Sequence, residues 1–585
     1  MRLYFALALA ALLSIPVGVA DENRPSEPKK VRTDWAEIQL SGSYPESQQM
    51  PGLFGELSES LPVCLDRLRQ AAKDKAIKGV LLRLDGVQVG WAKLHELQIA
   101  IESIRSAGKP VWAFTTDAST KDYLLACSCD RILIPESATL MLTGLRAEVT
   151  FYRNLFDMLD IKAEMLRVGA YKSAAEPYTR TEMSPEFRAE MEEILNDYHT
   201  LTIQHIAKRR SLTEEKASEI IDEGLISAAR AKELGLIDEL AYTDQLESLI
   251  QGGDASLDLR MRKDYRKKKP DTELTLFSLM EVLSGGEQQA ANTAPRIVVL
   301  NAEGMIVTGN APTGLLGEAS ISSDRFVPLI EKIGKDPNVK AIVLRVDSPG
   351  GSALASDLIW RALEATGKPV VASMGDTAAS GGYYISMGAD RIYAEPGTLT
   401  GSIGVVGGKV SFEGLMKKVG VTTSVIRRGR NSGVLSITEG FSDSEREAMQ
   451  NMLNTIYTQF TQKAATGRKM EYDKLEALAR GRVYTGHRAK ELGLIDEIGT
   501  LADAVAYARK LSDDPDSKLE IETLPKPSSP LEMLLGGERP ATDPLASLSK
   551  QLPEALVPAI RHWSAIEQLA KEPGLTILPY AVTIE

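Results

Sequence analysis

A ten-residue string, RAKELGLIDE, occurs twice in this chain, at residues 230–239 and again at 488–497. Three shorter matches keep almost the same spacing: KGVLLRLD at 78–85 answers KAIVLRVD at 340–347, KPV at 109–111 answers KPV at 368–370, and DRI at 130–132 answers DRI at 390–392. The offsets stay between 258 and 262 across all four pairs. Near-constant spacing over so long a stretch means a duplicated domain, the reading that internal similarity of this kind calls for first. With 585 residues the chain can bury two large cores and still carry connecting segments.

Within each copy the apolar runs 80–84 and 342–346 are short, rich in Val, Ile and Leu, and bounded by polar residues. They read as strands buried on both faces. The stretches 92–106 and 353–365 read as helices, each followed by Gly and then Lys-Pro. Strand alternating with helix predicts an α/β fold with right-handed crossovers, one such domain per copy. The expected division is 21–251 for the first domain, 252–295 for a connector, 296–511 for the second domain and 512–585 for an extension. The connector holds a basic run at 260–269, read as a solvated face, and a polar segment at 285–293. The extension begins with text containing Pro525, Pro527, Pro530 and Pro540 and then carries amphipathic pieces such as 556–570. Residues 1–20 run from Arg2 through an apolar stretch to Pro16 and Gly18-Val19-Ala20. That is signal-peptide grammar with cleavage after Ala20, an uncleaved membrane anchor being the alternative; either way the body is exported.

Net charge of -12 disfavours nucleic acid as a partner. Apolar residues make up 43% and charged residues 25%, as in ordinary folded proteins. Cys64, Cys127 and Cys129 are too few for a disulfide framework and have no clustered co-ligands, so they read as small buried hydrophobes, and no metal or cofactor is expected.

A duplication carries its own control, because a feature kept in one copy and lost in the other is not needed for the fold. Asp347-Ser348-Pro349-Gly350-Gly351 stands opposite Asp85-Gly86-Val87-Gln88-Val89, so the double glycine is dispensable to the scaffold. Ala378-Ala379-Ser380-Gly381-Gly382-Tyr383 stands opposite Ala118-Ser119-Thr120-Lys121-Asp122-Tyr123, which puts Thr120 where the other copy has Ser380. A serine at a helix start, flanked by glycine, gains from backbone N–H groups and the positive end of the helix dipole. Gly351 and Gly381 are the candidate N–H donors to an oxyanion, and Ser380 the candidate nucleophile. His95, His199, His205, His487 and His562 sit in no recognisable catalytic motif and are read as structural. Lys172 falls opposite Ser432, so the first copy has a lysine that the second lacks. A lysine acts as a base only when burial keeps it neutral, and the complementarity of the two copies makes Lys172 the candidate general base.

At these residues the chain resembles the long-form signal peptide peptidases of bacteria, also called protease IV, whose crotonase-like fold is shared with Clp peptidase subunits. RVGAYKSAAEPYTRTEMSP, DSPGGSALASD, DTAASGGYYIS and TLTGSIGV carry the resemblance, which spans 38–511. It implies two domains built as spirals of ββα units and a serine endopeptidase with a Ser380–Lys172 dyad. It also implies oxyanion donors at Gly351 and Gly381, and Ser402 as the hydroxyl that holds the lysine amine. The implied assembly is a bowl-shaped homotetramer with four sites. Extended apolar peptides such as released signal peptides are the implied substrates, gripped by strand addition. The implied location is the periplasm, soluble or attached to the inner membrane. Two rival readings share the scaffold: a crotonase-like enzyme acting on acyl thioesters, and a non-catalytic assembly protein.

Overall fold

The apolar runs form the centres of two sheets with one strand order. In the first, Leu257–Arg262, Val31–Gly42, Ile77–Val87, Val111–Phe114, Arg131–Ile134 and Glu239–Leu240 pair in parallel in that sequence. In the second, Glu520–Leu524, Arg296–Glu303, Val339–Ser348, Val370–Ala379, Arg391–Ala394 and Glu497–Ile498 repeat it strand for strand. Parallel neighbours cannot be joined by a tight turn, so helices cross between them. Leu61–Lys73 and Trp91–Ser106 do so in the first copy, Ser323–Lys335 and Ala353–Ala365 in the second. Val80, Leu81 and Leu82, like Ile342, Val343 and Leu344, are buried on both faces of their sheets. This is the computed structural model of the chain, and it describes residues 31–47, 59–254, 256–267, 293–309, 320–512, 518–526, 574–577 and 583–584. The leader at 1–20, most of the connector, His562 and the 556–570 piece lie outside the described residues.

Three positions of the repeated string make the same contacts in both copies. Tyr123 donates its hydroxyl proton to the Leu236 carbonyl at 2.9 Å, and Tyr383 does the same to Leu494 at 2.8 Å. Asp238 pairs with Arg210 at 3.1 Å and accepts from the Ile132 amide at 2.7 Å. Asp496 repeats this with Arg468 at 2.6 Å and the Ile392 amide at 2.8 Å. Ala231 and Ala489 are fully buried beneath them.

The sheets run past the limits expected from the repeat. Leu257–Arg262, part of the expected connector, is an edge strand of the first sheet, with Arg262 turned onto Asp34. Glu520–Leu524, part of the expected extension, is the matching edge of the second. An edge strand can be polar on its outer side, so neither segment carries the apolar run that marks the central strands. The first three residues of the basic run, Arg260, Met261 and Arg262, therefore belong to a sheet.

Polar groups as well as apolar ones join the copies. Arg345, 1% exposed in the second sheet, reaches Glu46 at 2.8 Å and Glu96 at 2.7 Å, both from the first copy. Asp376 accepts from the amides of Gly90, Ala92 and Lys93 at 3.0–3.1 Å, capping the helix Trp91–Ser106 across the boundary. Charges buried this deeply demand their partners, since removing one strands the other at a cost of about 3–5 kcal/mol. A further sheet is itself mixed: Lys162–Val168 of the first copy pairs antiparallel with Val405–Ser411 of the second.

Candidate active site

Ser380 follows directly on the strand Val370–Ala379 and precedes the helix Gly381–Ser386. Its backbone has φ 56° and ψ -111°, a conformation that costs a non-glycine residue about 1–3 kcal/mol. Two bonds hold it there: the Ser380 amide donates to the Gly401 carbonyl at 2.8 Å, and the Tyr384 amide donates to the Ser380 carbonyl at 2.8 Å. The turn aims the hydroxyl across to the first copy.

Lys172 comes from the loop that ends the strand Lys162–Val168, so the mixed sheet carries it to the serine. The loop is docked closely. The Tyr171 amide donates to the Arg480 carbonyl at 2.9 Å, and a β-carbon on Gly481 would stand only 2.6 Å from the Lys172 backbone nitrogen. The helix Pro185–Arg210 clamps the same region, with Glu190 accepting from the Val483 amide at 2.9 Å, Glu193 paired with Arg482 at 2.7 Å, and Asp197 accepting from Thr485 at 2.6 Å.

The Lys172 Nζ lies 2.7 Å from Ser380 Oγ, 2.9 Å from Ser402 Oγ and 3.0 Å from the Ser402 carbonyl. Lys172, Ser380 and Ser402 are all 0% exposed. Burial holds the amine well below its ordinary pKa, with the Glu190 carboxylate opposing weakly from the next layer. A neutral amine has two N–H groups and one lone pair. In that form the Ser402 carbonyl and hydroxyl can accept the two N–H bonds, and the lone pair is then free to accept the Ser380 hydroxyl proton. An ammonium ion would have no lone pair to offer, and nothing among its three neighbours is an anion.

Gly351 lies in the strand Gly350–Ser352 with φ 151°, and a β-carbon there would stand 1.9 Å from the Ile306 carbonyl oxygen. Gly381 opens the helix after Ser380, and its β-carbon would meet Ser356 Oγ at 2.6 Å and Gly350 Cα at 3.1 Å. The two glycine segments thus touch each other beside Ser380, and no side chain fits between them.

All five residues singled out in the sequence are therefore gathered at one place. The described histidines lie elsewhere. His95 contacts Glu395, His205 lies 3.0 Å from the Leu124 carbonyl, with burial pulling its pKa down to about 4, and His487 lies 3.7 Å from Glu491. His199 is half-buried on the helix Pro185–Arg210, lining a small cavity together with Thr120 and Leu142 of the first copy. The three cysteines are buried and unpaired, as expected, and burial raises the Cys64 and Cys127 thiols to about 12. Among the described residues no cluster of His, Cys, Asp and Glu could hold a metal ion. Sequence reasoning passed over Glu190 and the Arg480–Gly481 seat of the lysine loop. Glu190 is one of several acids in a helix, and only Gly481, just ahead of the second repeat, offered a signal.

The profile of Peptidase family S49 matches residues 103–254 and 362–513, one match in each copy. The chain is 33% identical over 486 residues to a protein of Arabidopsis thaliana named "Serine protease SPPA, chloroplastic", covering 82% of this chain and 70% of that one. It is 31% identical over 466 residues to "Protease 4" of Haemophilus influenzae, covering 76% and 72% respectively. Among solved structures, the 1510-N membrane-bound stomatin-specific protease aligns at 17% identity and a TM-score of 0.26, over 40% of this chain and 99% of that one.

Proposed function

The chain belongs to peptidase family S49 and is a serine peptidase, and from that premise we propose an endopeptidase in which Ser380 is the nucleophile and Lys172 its general base. The observation that carries the assignment is the 2.7 Å contact between a fully buried amine and a fully buried hydroxyl. Ser380 Oγ attacks the scissile carbonyl carbon while its proton passes to the Lys172 lone pair. The oxygen that gains charge turns toward the Gly351 and Gly381 amides, each such donor being worth about 2.7–4 kcal/mol in the transition state. The C–N bond then breaks, the Lys172 ammonium returns its proton to the departing amine, and an acyl-enzyme remains. Water completes the cycle: it gives a proton to Lys172, attacks the ester carbon, and Ser380 leaves with that proton restored. Ser402 acts as a positioning residue throughout, since its two oxygens fix the amine on the serine side.

Substrates are extended apolar peptides, released signal peptides among them. Gly350–Ser352 and Val405–Ser411 face each other across a gap of one strand, about 10 Å by the usual spacing, so a peptide can be gripped through its backbone on both sides. Ala175 and Val406, with Ala174 and Met165 beside them, make its wall apolar. Export, in line with the reading of residues 1–20, and a homotetrameric ring with attachment to the inner membrane or a free periplasmic form complete the proposal. No described helix is long and apolar enough to cross a membrane.

The test is labelling by an acylating serine-directed reagent, followed by mass mapping. A single adduct on Ser380 that is lost in Ser380→Ala and in Lys172→Ala is the expected result. An adduct that forms as fast without Lys172 removes the dyad, and turnover of acyl thioesters in place of peptides would move the chain to the rival chemistry.

A further inference from the structure

The gap between the two edges is filled by the chain itself. Leu575–Ile577 lies between Gly350–Ser352 and Val405–Ser411 and runs antiparallel to both. Gly351 stands opposite Thr576, Ser352 opposite Leu575, and Val406 opposite Leu575 as well. Thr576 Oγ1 donates to the Gly351 carbonyl at 3.2 Å, and the Ala353 amide reaches the Gly574 carbonyl at 3.4 Å. Leu575 is 3% exposed, packed on Val406 and Ala175, and Thr576 is 0% exposed. The Thr576 carbonyl lies over Gly350: a β-carbon on that glycine would be 2.0 Å from the Thr576 oxygen and 2.7 Å from the Gly381 amide nitrogen. The Thr576 carbonyl thus lies on the glycine segment next to Gly381, one of the two residues assigned above to the oxyanion. Farther along, Thr583–Ile584 makes a second antiparallel pairing, with Ala147–Glu148 of the first copy.

We propose that residues 574–577 are a tethered occupant of the peptide cleft, which a substrate must displace strand for strand before it can be cut. The proposal rests on the peptidase reading only in taking this cleft to be the substrate's. Its physical basis is twofold. Backbone pairing along both edges is the mode of recognition that any extended peptide would use, so the segment and a substrate compete for the same bonds. A segment held in the same chain is also present at an effective concentration of about a millimolar, so even weak intrinsic affinity keeps the cleft substantially filled. The segment is short, with Leu575 the large apolar anchor among the described side chains, so a longer apolar peptide can replace it.

The experiment compares the full chain with one ending at Pro573, using a short apolar reporter peptide. Removing the segment is expected to lower KM about three- to tenfold with kcat unchanged, the signature of a lost tethered competitor. Leu575→Asp in the full chain guards against misfolding of the shortened one and should lower KM in the same direction, because a carboxylate cannot settle against Val406 and Ala175. Adding a synthetic peptide of residues 574–585 should raise the KM of the shortened chain again. Equal KM for all three proteins overturns the proposal and leaves the peptidase reading standing. Binding of the labelled 574–585 peptide to the shortened Ser380→Ala protein, followed by fluorescence anisotropy, tests occupancy without any hydrolysis. Saturable binding, displaced by the reporter peptide, supports the proposal even if the peptidase reading fails. No binding at millimolar peptide overturns it.

Discussion

Thr120 and Ser380 occupy one position in the two copies, as the surrounding pairings show: Ala118 bridges Leu140 in the first, and Ala378 pairs with Thr400 in the second. By the same register Leu142 stands where the second copy has Ser402. Around the second position the side chains withdraw and leave glycine at 350, 351, 381 and 382. Around the first they close in. Asp122, the counterpart of Gly382, is 1% exposed, and its carboxylate accepts from the Val87 amide at 2.9 Å, the Ser119 amide at 3.2 Å and the Ser119 hydroxyl at 2.7 Å. An acidic side chain built into the chain thus occupies the first copy's helix start, where the proposed mechanism has the second copy keep room for an oxyanion. One scaffold supports both arrangements because the strands and the RAKELGLIDE contacts behind them are the same; in the proposed mechanism the first copy has a satisfied cap and supplies the lysine instead.

The comparison breaks first, and most visibly, at the dyad. Ser380→Ala and Lys172→Ala should each lower kcat/KM for peptide hydrolysis about ten-thousandfold or more, while Thr120→Ala changes it by less than about twofold, all read from initial rates. Thermal unfolding of the four proteins separates chemistry from folding. A serine-like loss from Thr120→Ala would mean that the first copy is not catalytically silent. Next in size, Gly381→Ala should reduce kcat about a hundredfold with little change in KM, because the added methyl must push away Ser356 Oγ and takes the amide with it. Ser402→Leu, which imports the first copy's residue, should reduce kcat about ten- to a hundredfold by freeing the lysine amine, and the reverse change Leu142→Ser should do nothing to either constant. Smallest in activity is Asp122→Ala. It should leave kcat and KM unchanged but cost about 2 kcal/mol of stability in denaturant titration, since a buried amide loses its acceptor.

The duplication was legible because its cause is local and repeated: tyrosine hydroxyl, aspartate and alanine each need the same neighbours twice. The pairing of Ser380 with Lys172 was legible only through the asymmetry of the copies and the family resemblance. No periodicity shows that Lys162–Val168 leaves its own sheets for one it shares with Val405–Ser411. The two edge strands were missed for a related reason, since Leu257–Arg262 and Glu520–Leu524 lack the apolar run that marks the central strands and fall beyond the repeat. Arg345 follows the apolar run Ala341–Leu344, and nothing near it in sequence announces that Glu46 and Glu96 of the other copy will pair with it. The three residues Leu575, Thr576 and Ile577 are too few to carry any pattern at all.

Burial of Lys172 also makes a statement about pH. Its folded pKa lies well below its value in the unfolded chain, so the unfolded state binds the extra proton more readily between the two. Stability therefore rises with pH through that interval and falls as pH drops through the folded pKa, and Lys172→Met should flatten this slope in denaturation measured across alkaline pH.

The central claim is that this amine is uncharged when it meets Ser380, and the pH dependence of Ser380 acylation, followed by intact mass, tests it most directly. The account predicts a single inflection well below the ordinary lysine value, with the rate higher on the alkaline side and the inflection absent from the residual rate of Lys172→Met. An inflection at the ordinary lysine value, or one that survives unchanged in Lys172→Met, would contradict it.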